Sequence, residues 1–350
     1  MNRTKPINIL TNLQNLPYLS AMQFSKERIV LSVEAFSPNN NVLGALKVFW
    51  RTAKAHILIL NVAEPLLLKL CLFRYLFPWN RCLFISVDIL LKRPVTLTEK
   101  VKCRIQRILL RKVDAFILYF RDISRYSKYY GLRREKCIYV PFKVNQLEKI
   151  RTYLSEKNSG VDVSDGDCVM AIGRTLRDLN TFISAMEQTG LPGVILRQSH
   201  SVMAEHGSLV PNRNFPKNVT EEIHDGNQAS FISHIERAKV VVIPRYRWDL
   251  KSTGISNYLM AMAMGKCVII SHGPGATELL RNDEAILVPP EDPDSLAEAI
   301  ETVWHDADLR KKIARNGQRY ALSLRDEKRL LEDIMHASLD LLKSRIECGK

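Results

Sequence analysis

The sequence lacks the residue spacings of the common metal and P-loop motifs. Its seven cysteines are scattered without a Cys-x-x-Cys pair, and its eight histidines show no His-Glu-x-x-His spacing. A Gly-x-x-x-x-Gly-Lys-Ser/Thr segment is also absent, so the sequence gives no support for P-loop chemistry. The odd cysteine count and the missing secretory leader lead us to expect a reducing, cytoplasmic setting without zinc or another bound metal.

Glycine and long apolar runs are scarce in the first half. Gly44 is the only glycine before Gly131, so no glycine-rich loop is visible there and the first strand is uncertain. The segment from Pro65 to Phe77 is apolar but short, and Lys69 and Arg74 interrupt it. Since a helix needs about 20 apolar residues to cross a bilayer, this segment is not expected to span one.

Acidic residues are also scarce in the first half. Through residue 150 the chain carries 26 Lys and Arg against 9 Asp and Glu, a net charge of +17, whereas the remainder carries 25 against 28. This asymmetry predicts an anionic partner for the first half. A phospholipid surface, a lipid-linked phosphate and a nucleic acid all satisfy it.

Short apolar runs that alternate with helical periodicity indicate an α/β chain, and 350 residues suit two domains. A Ser-, Gly- and Asp-rich stretch at 157–167 predicts the linker. The predicted buried strands are Arg28 to Val33, His56 to Asn61, Cys82 to Val87, Cys168 to Ile172, Val240 to Pro244 and Cys267 to Ser271.

The segment after Lys239 predicts a βαβ unit. An apolar strand is followed by a polar loop, a helix that opens at Gly254 and stops at Gly265, and a second apolar strand. In open α/β sheets, ligands bind beyond the carboxyl ends of such strands. A phosphate site is therefore predicted in the loop before Gly254.

Within this unit, Ala261-Met262-Ala263-Met264-Gly265-Lys266-Cys267-Val268 resembles the Ala-Met-Ala-x-Gly-x-Pro-Val motif of GT-B glycosyltransferases, closest to the retaining family-four group. The family places two glutamates before this motif, with seven residues between them. Here Ser252 and Met260 occupy those positions. Asp249 is a candidate for one returned acid, and a glutamate at position 260 is expected to be tolerated if that position faces the ribose.

The resemblance implies a GT-B fold of two Rossmann-like domains that face each other across a cleft. We expect an acceptor domain at 1–155, a nucleotide-sugar domain at 156–321, and a carboxyl-terminal helix at 322–350 that crosses back to the first domain. It further implies transfer from a nucleoside-diphosphate sugar to a glycan or lipid-linked acceptor, with retention of configuration and without a metal or another cofactor.

Gly173-Arg174 follows a predicted strand and resembles the family's Gly-Arg-x4-Lys, with Leu179 in place of the lysine and Arg177 as its replacement. The structural alternatives are surface ion pairs for the arginines, a helix N-cap for Ser252 or Thr253, and a plain turn at the glycines. The predicted donor-binding residues are Arg174, Arg177, Lys251, Ser252, Thr253, Gly254, Asn257, Gly273, Gly275 and Glu278. Glu278 is expected on the helix after the turn.

Two further predictions concern the first half. Asp88, at the end of a strand, is a candidate acceptor contact or base, and the alternative is a turn residue. Thr96 and Glu99 predict a capping box for a helix on which Val101, Ile105, Ile108 and Leu109 share one face. Either that face packs in the core or the helix lies on a membrane surface, where the candidate residues are Lys100, Arg104, Arg107 and Arg111.

We therefore predict a cytoplasmic glycosyltransferase of polysaccharide biosynthesis, with the inner membrane face as a peripheral site. Two alternatives stay open from the sequence. A GT-B-like protein that binds nucleotide without transfer would explain the missing glutamates. A nucleic-acid-binding protein would explain the basic half, although no recognised nucleic-acid motif supports it.

Overall fold

The computed structural model describes residues 6–14, 31–37, 41–156, 166–209, 215–281, 283–324 and 326–349. The chain divides into two compact units. Unit 1 comprises the described residues up to Val140 together with those from Lys328 onward, and unit 2 runs from Pro141 to Glu327. The change of unit precedes the boundary predicted at residue 155, and most of the predicted linker lies outside the described residues.

Unit 1 is built on a parallel sheet of six strands in the order β2-β1-β3-β4-β5-β6. The strands are β1 (Ile7–Thr11), β2 (Leu31–Ala35), β3 (Ile57–Asn61), β4 (Leu83–Val87), β5 (Ala115–Leu118) and β6 (Cys137–Tyr139). Every residue of β4 and β5 is buried, as expected of strands covered on both faces. β1 is not among the predicted strands, because Asn8 and Thr11 interrupt its apolar run. The first three residues of the predicted strand at 28–33 lie outside the described ranges.

Four helices follow strands of this sheet. They are α1 (Val42–Thr52), α2 (Glu64–Leu76), α3 (Leu97–Leu110) and α4 (Ser124–Tyr130). The connections from β2 through β6 all advance in one direction, so right-handed crossovers place α1 to α4 on one face of the sheet. Neighbouring helices contact one another in that order.

The predicted capping box of α3 is confirmed, and of the two alternatives for its apolar face, packing in the core is wrong for Val101, Ile105 and Ile108. Cys103, Gln106 and Leu110 are the residues of α3 that face the core. Val101, Ile105 and Ile108 are 49%, 55% and 51% exposed. Helical period identifies residues that share a face, whereas the sheet beneath decides which face is buried.

Unit 2 is a second parallel sheet of six strands, in the order β12-β11-β10-β7-β8-β9. The strands are β7 (Cys168–Ile172), β8 (Gly193–Arg197), β9 (Val219–Ile223), β10 (Ala238–Ile243), β11 (Cys267–Ser271) and β12 (Ile286–Val288). β7 and β11 have their predicted bounds. β10 begins two residues before the predicted strand.

The helices of unit 2 are α5 (Leu147–Glu156), α6 (Leu179–Thr189), α7 (His200–Glu205), α8 (Gln228–Glu236), α9 (Ile255–Ala263), α10 (Pro293–His305) and α11 (Ala307–Ser323). α6 packs against α10, and both bury apolar side chains in one core with β7 and β10. Gly265, with φ of 73°, ends α9 in the left-handed backbone that favours glycine.

A last helix, α12 (Glu327–Glu347), belongs almost entirely to unit 1. Its buried residues are Leu330, Leu331, Ile334, Met335, Ser338, Leu339 and Leu342. The helix predicted from residue 322 therefore begins five residues later, because α11 continues to Ser323. No helix among the described residues combines the length and apolarity needed to cross a membrane.

Candidate functional site

The candidate site lies where the strand order of unit 2 reverses direction. From β7 the chain proceeds to β8 and β9 on one side, and from β10 to β11 and β12 on the other. Ligands of open α/β sheets bind at the carboxyl ends of the strands at such a switch point. The predicted donor-binding residues fall in the loops 173–178, 244–254 and 272–278, which follow β7, β10 and β11, and at the start of α9.

Arg177 is fixed beneath this edge of the sheet. Its Nε donates to the Ile172 carbonyl at 2.9 Å and its Nη1 to the Thr175 carbonyl at 2.7 Å, and the residue is only 1% exposed. A Cβ on Gly173, whose φ is 103°, would lie 2.5 Å from Arg177 Nε. Arg177 is therefore a buried charge held by backbone carbonyls rather than a residue of a surface ion pair, and its role toward a diphosphate stays a prediction.

The loop that carries Arg177 is held by a neighbouring segment. Ser208 Oγ donates to the Arg174 carbonyl and accepts from the Arg177 amide, both at 2.7 Å. Leu176 adopts a left-handed φ of 53°, and its amide donates to the His206 carbonyl at 3.1 Å. These bonds fix the backbone on both sides of Arg177.

Arg174 differs from Arg177 because its side chain is exposed. Its Nη1 lies 3.4 Å from Gln198 Oε1, a long contact that leaves the guanidinium weakly held. Burial, followed by the charges of Arg174 and Lys251, lowers the pKa of His206. The charges of Arg174 and Lys251 therefore both reach His206, and their role toward a donor stays a prediction.

Arg245 and Asp249 form a buried ion pair in the loop after β10. Both side chains are 1% exposed, and Arg245 Nη2 lies 2.9 Å from Asp249 Oδ2. Arg245 also donates to the Lys251 carbonyl at 2.7 Å and the Pro274 carbonyl at 3.1 Å. The pair thus joins the 244–254 loop to the 272–278 loop.

Asp249 is committed to this internal network. Its Oδ1 accepts from the Lys251 amide at 2.8 Å, and its Oδ2 accepts from the Thr253 hydroxyl as well as from Arg245. This differs from the role of a returned family acid, which would have to face the donor. Asp249 instead shapes the loop and partly neutralises its arginine.

The buried charges of the site do not cancel. Within the three loops, Arg177, Arg245 and Lys251 are buried together with two carboxylates, those of Asp178 and Asp249. Burial, followed by the charge of Arg245, lowers the pKa of Arg177, while Asp249 opposes the shift. The excess of one buried positive charge makes this edge of the sheet favourable for an anion.

The amino terminus of α9 adds to that potential. Gly254 is its N-cap, with φ of 95°, and no side chain caps the helix. The predicted N-cap alternative for Thr253 is therefore wrong, and its hydroxyl binds Asp249 instead. A Cβ on Gly254 would lie 3.4 Å from Arg177 Nη2, so the uncapped helix end lies directly against the buried guanidinium.

The glycines of the third loop are required by packing. A Cβ on Gly273 would lie 2.9 Å from Arg245 Cζ, and one on Gly275 would lie 2.9 Å from Ser252 Cβ. Glu278 stands in a turn rather than on the predicted helix, and its Oε1 accepts from the Gly275 amide at 2.9 Å. These contacts favour the structural alternative for Gly273, Gly275 and Glu278.

The remaining predicted residues of unit 2 lie on or beside α9. Ser252 and Asn257 are half-buried, with Asn257 in the first turn of the helix. Lys251 is 8% exposed. Met260, one of the two missing-glutamate positions, is 5% exposed, so it has little contact with solvent.

Because Met260 is buried, a glutamate there is expected to be costly rather than tolerated. We expect Met260→Glu to lower the free energy of unfolding by about 2 kcal/mol or more, since burying an unpaired carboxyl carries that order of cost. Urea unfolding measures the change. Met260→Leu is the control and should cost less than about 1.5 kcal/mol, and equal unfolding midpoints for the two variants would contradict the buried placement.

Asp88 lies in unit 1, at the end of β4. Its backbone is left-handed, with φ of 48°, and its amide donates to the Ile117 carbonyl at 2.9 Å. Burial and then the charge of Asp88 raise the pKa of Tyr119. Asp88 is therefore a turn residue at the end of a strand, and a contact between Asp88 and an acceptor stays a prediction.

Arg245 and Ser208 are site residues that the sequence analysis missed. Arg245 stands two residues after the end of the buried strand β10, and Asp249 follows four residues later. An arginine just after a buried strand, with an aspartate four positions later, is the sequence signal that could have identified this ion pair. Ser208 has no comparable signal, because its segment is remote from β7 in sequence.

No three His, Cys, Asp or Glu side chains within the described ranges are grouped so as to hold a metal ion. Independence from metal stays a prediction.

Residues 217–320 match the sequence profile of the family described as Glycosyl transferases group 1. The matched stretch contains the loops after β10 and β11 and all of α9. The chain carries a glycosyltransferase domain. The predicted enzyme class of this glycosyltransferase is thereby confirmed, whereas the family-four subgroup is not resolved. No curated protein matches the chain in sequence.

Solved glycosyltransferase structures share the fold of the whole chain. HepE from Anabaena, crystallised with UDP, has a TM-score of 0.64 at 15% identity, over 95% of this chain and 99% of that one. A glycosyltransferase from Rickettsia africae gives 0.63 at 12%, over 97% and 100%. Sucrose-phosphate synthase from Thermosynechococcus elongatus gives 0.62 at 15%, over 89% and 81%. With two parallel six-stranded sheets, these similarities confirm the predicted GT-B fold.

Proposed function

We propose that this glycosyltransferase transfers a sugar from a nucleoside-diphosphate sugar to a lipid-linked or polysaccharide acceptor. The observation that carries the proposal is the excess positive charge at the switch point between β7 and β10. There, the buried guanidinium of Arg177 lies under the uncapped end of α9, and the buried Arg245 is paired with Asp249. A diphosphate supplies the negative charge that this arrangement favours.

The same charges suit the chemistry of sugar transfer. As the glycosidic bond to the donor breaks, negative charge develops on the leaving diphosphate. Fixed positive groups that are already oriented stabilise that charge without reorganisation. Arg177 and the α9 terminus are fixed in this way, while Lys251 adds a buried charge in the loop and Arg174 adds one at its surface.

Uridine nucleotides are the first candidates for the donor. HepE, which shares the fold, has been crystallised with UDP and with UDP-glucose. The residues of this chain that we assign to the donor contact the diphosphate, which all nucleoside-diphosphate sugars share. We therefore propose the diphosphate as the recognised group and UDP as the first probe.

Two finer proposals concern the configuration of the transferred sugar and the groups that neutralise the leaving diphosphate. The resemblance around Ala261–Val268 supports retention of configuration, as in the family-four group. We propose that Arg174, Arg177 and Lys251, rather than a metal ion, balance the leaving diphosphate. In such a mechanism the leaving phosphate itself accepts the acceptor proton, and Asp88 is the candidate base if a side chain performs this step.

The missing glutamates favour one alternative function, nucleotide binding without transfer. Ser252 and Met260 lack carboxylates, and Asp249 is committed to Arg245. Product analysis with UDP-sugars separates the two functions. Release of UDP that depends on an added glycan or lipid acceptor supports transfer, and tight UDP binding without any turnover supports the alternative.

Arg174→Ala is expected to weaken UDP binding while leaving uridine binding unchanged. Loss of one charge-assisted hydrogen bond is worth about 1.5–3 kcal/mol, which corresponds to roughly 10- to 150-fold in affinity. Isothermal titration with both ligands measures this ratio. Because the Arg174 side chain is exposed, the melting temperature of the variant should match that of the parent protein.

Arg315→Ala is the matched control, since Arg315 is an exposed arginine of α11 away from the three loops. It should bind UDP as the parent does. An equal loss of uridine and UDP affinity in Arg174→Ala would contradict a diphosphate role for Arg174.

A further inference from the structure

Unit 1 carries an apolar surface that the sugar-transfer proposal does not use. On α3, Leu97, Val101, Ile105 and Ile108 are 78%, 49%, 55% and 51% exposed. Leu76 and Trp79, at and after the end of α2, are 61% and 68% exposed. We call the surface formed by these six residues the apolar face. Contiguous exposed apolar surface of this kind marks an interaction site.

The four α3 residues of the apolar face form a stripe along the outside of the helix. Their spacing of four, four and three residues keeps them on one side. The residues of α3 that face the core, Cys103, Gln106 and Leu110, lie on the opposite side. The stripe therefore points directly away from the sheet.

Contacts between helices connect the elements that carry the apolar face. α2 is joined to α3 by Tyr75, whose hydroxyl donates to the Ile108 carbonyl at 2.9 Å. Trp79 contacts Phe77 with ring centroids 5.3 Å apart, and Phe77 in turn contacts Trp50 of α1 at 5.7 Å. Trp50 is itself 54% exposed. Aromatic side chains thus cluster where the ends of α1 and α2 meet, beside the helix that Tyr75 joins to α3.

Positive charge accompanies the apolar face. Between residues 41 and 112 the sequence has 14 Lys and Arg against 3 Asp and Glu. Lys100, Arg104, Arg107 and Arg111 are all exposed and recur every three or four residues, so they line one flank of the stripe. An apolar stripe with a cationic flank and nearby tryptophans is the composition of a helix that lies in a membrane interface.

We propose that the apolar face docks unit 1 on an anionic phospholipid membrane. The stripe and Trp79 enter the boundary between headgroups and acyl chains, and the four cationic side chains of the flank extend to lipid phosphates. This interaction goes beyond the proposed transfer reaction and does not depend on it.

Charge complementarity favours a membrane over the other occupants. A second copy of the chain would bring two cationic flanks close together, which is repulsive. A nucleic acid would satisfy the charge but leave the apolar stripe without a partner. An anionic bilayer satisfies both parts of the surface.

Flotation of the full chain with phosphatidylcholine vesicles, with and without phosphatidylserine, tests the proposal. The flank variant replaces Lys100, Arg104, Arg107 and Arg111 with Gln, and the stripe variant is Val101→Gln with Ile105→Gln and Ile108→Gln. The control replaces Lys217, Lys312, Arg315 and Arg319 with Gln, which removes four exposed charges from unit 2.

The parent should float with the anionic vesicles and lose binding as salt rises. The flank variant should bind them roughly two to three orders of magnitude more weakly, since each cation near an anionic surface contributes on the order of tenfold or less. The stripe variant should bind at least about tenfold more weakly, because it loses apolar insertion while it keeps every charge. The control should float as the parent does.

Melting temperatures of both variants should match the parent, because the replaced side chains are exposed. If one variant melts early, Leu76→Gln with Trp79→Gln tests the same face from another element. A parent that does not bind the anionic vesicles, or stripe and flank variants that float as well as the parent, overturns the proposal. It is also overturned if the parent is a dimer that the stripe variant dissociates without any change in flotation, or if duplex DNA binds the parent and vesicles do not.

Discussion

Asp249→Asn is expected to destabilise unit 2 by about 3–5 kcal/mol, the cost of removing one partner of a buried ion pair. The substitution leaves the buried guanidinium of Arg245 without its ion-pair partner and removes a negative charge near Arg177. It also weakens the hydrogen bonds that Asp249 accepts from Lys251 and Thr253. Chemical denaturation, followed by circular dichroism, measures the change in the free energy of unfolding.

Glu301→Gln removes one carboxylate from an exposed position of α10 and serves as the control. It should change stability by less than about 0.5 kcal/mol, as surface substitutions usually do. If Asp249→Asn is equally mild, the buried pair is not formed and the electrostatic account of the site fails. The same result would remove the main support for the proposed diphosphate position.

Gly173→Ala is expected to have the second largest effect, through Arg177. Its left-handed φ of 103° costs an alanine about 1–2 kcal/mol. The added Cβ would also lie 2.5 Å from Arg177 Nε and Nη2, and such overpacking typically costs about 1–3 kcal/mol. We expect a total loss of about 2–5 kcal/mol, together with weaker UDP binding as the guanidinium moves.

Gly190→Ala separates the two causes. Gly190 has a left-handed φ of 65°, and nothing lies within 4 Å of a Cβ built there. This variant should therefore show only the backbone cost of about 1–2 kcal/mol and bind UDP as the parent does. Equal stability and equal UDP affinity in the two variants would show that Arg177 does not lie against Gly173.

Strands of continuous apolar sequence were the most predictable part of the fold. β7 and β11 have their predicted bounds because every residue in them is apolar or small and buried on both faces. β1 was not predicted because the alternation of Ile7, Asn8 and Ile9 is too short to distinguish a strand from a loop. Its partner strands, which are distant in sequence, decide its conformation.

The position of the site could be predicted from the sequence, but the roles of its individual residues could not. The motif at Ala261–Val268 and the glycines at 173 and 254 locate the switch point, because such turns need special backbone angles. Spacing could not show that Arg177 is buried or that Asp249 is paired with Arg245, because both depend on how three separate loops pack together. In α3 the helical period was predicted, but the period could not decide between a core face and an exposed face for a similar reason.

Unit 1 is discontinuous in sequence, since it combines the chain up to Val140 with the chain from Lys328 onward. During synthesis, all of unit 2 leaves the ribosome before α12, which supplies seven buried residues, becomes available. Unit 2 can therefore complete its fold first, which reverses the usual amino-to-carboxyl order of domain folding. Until α12 arrives, the apolar surface of unit 1 that this helix covers stays open to chaperones and to misassociation on the nascent chain.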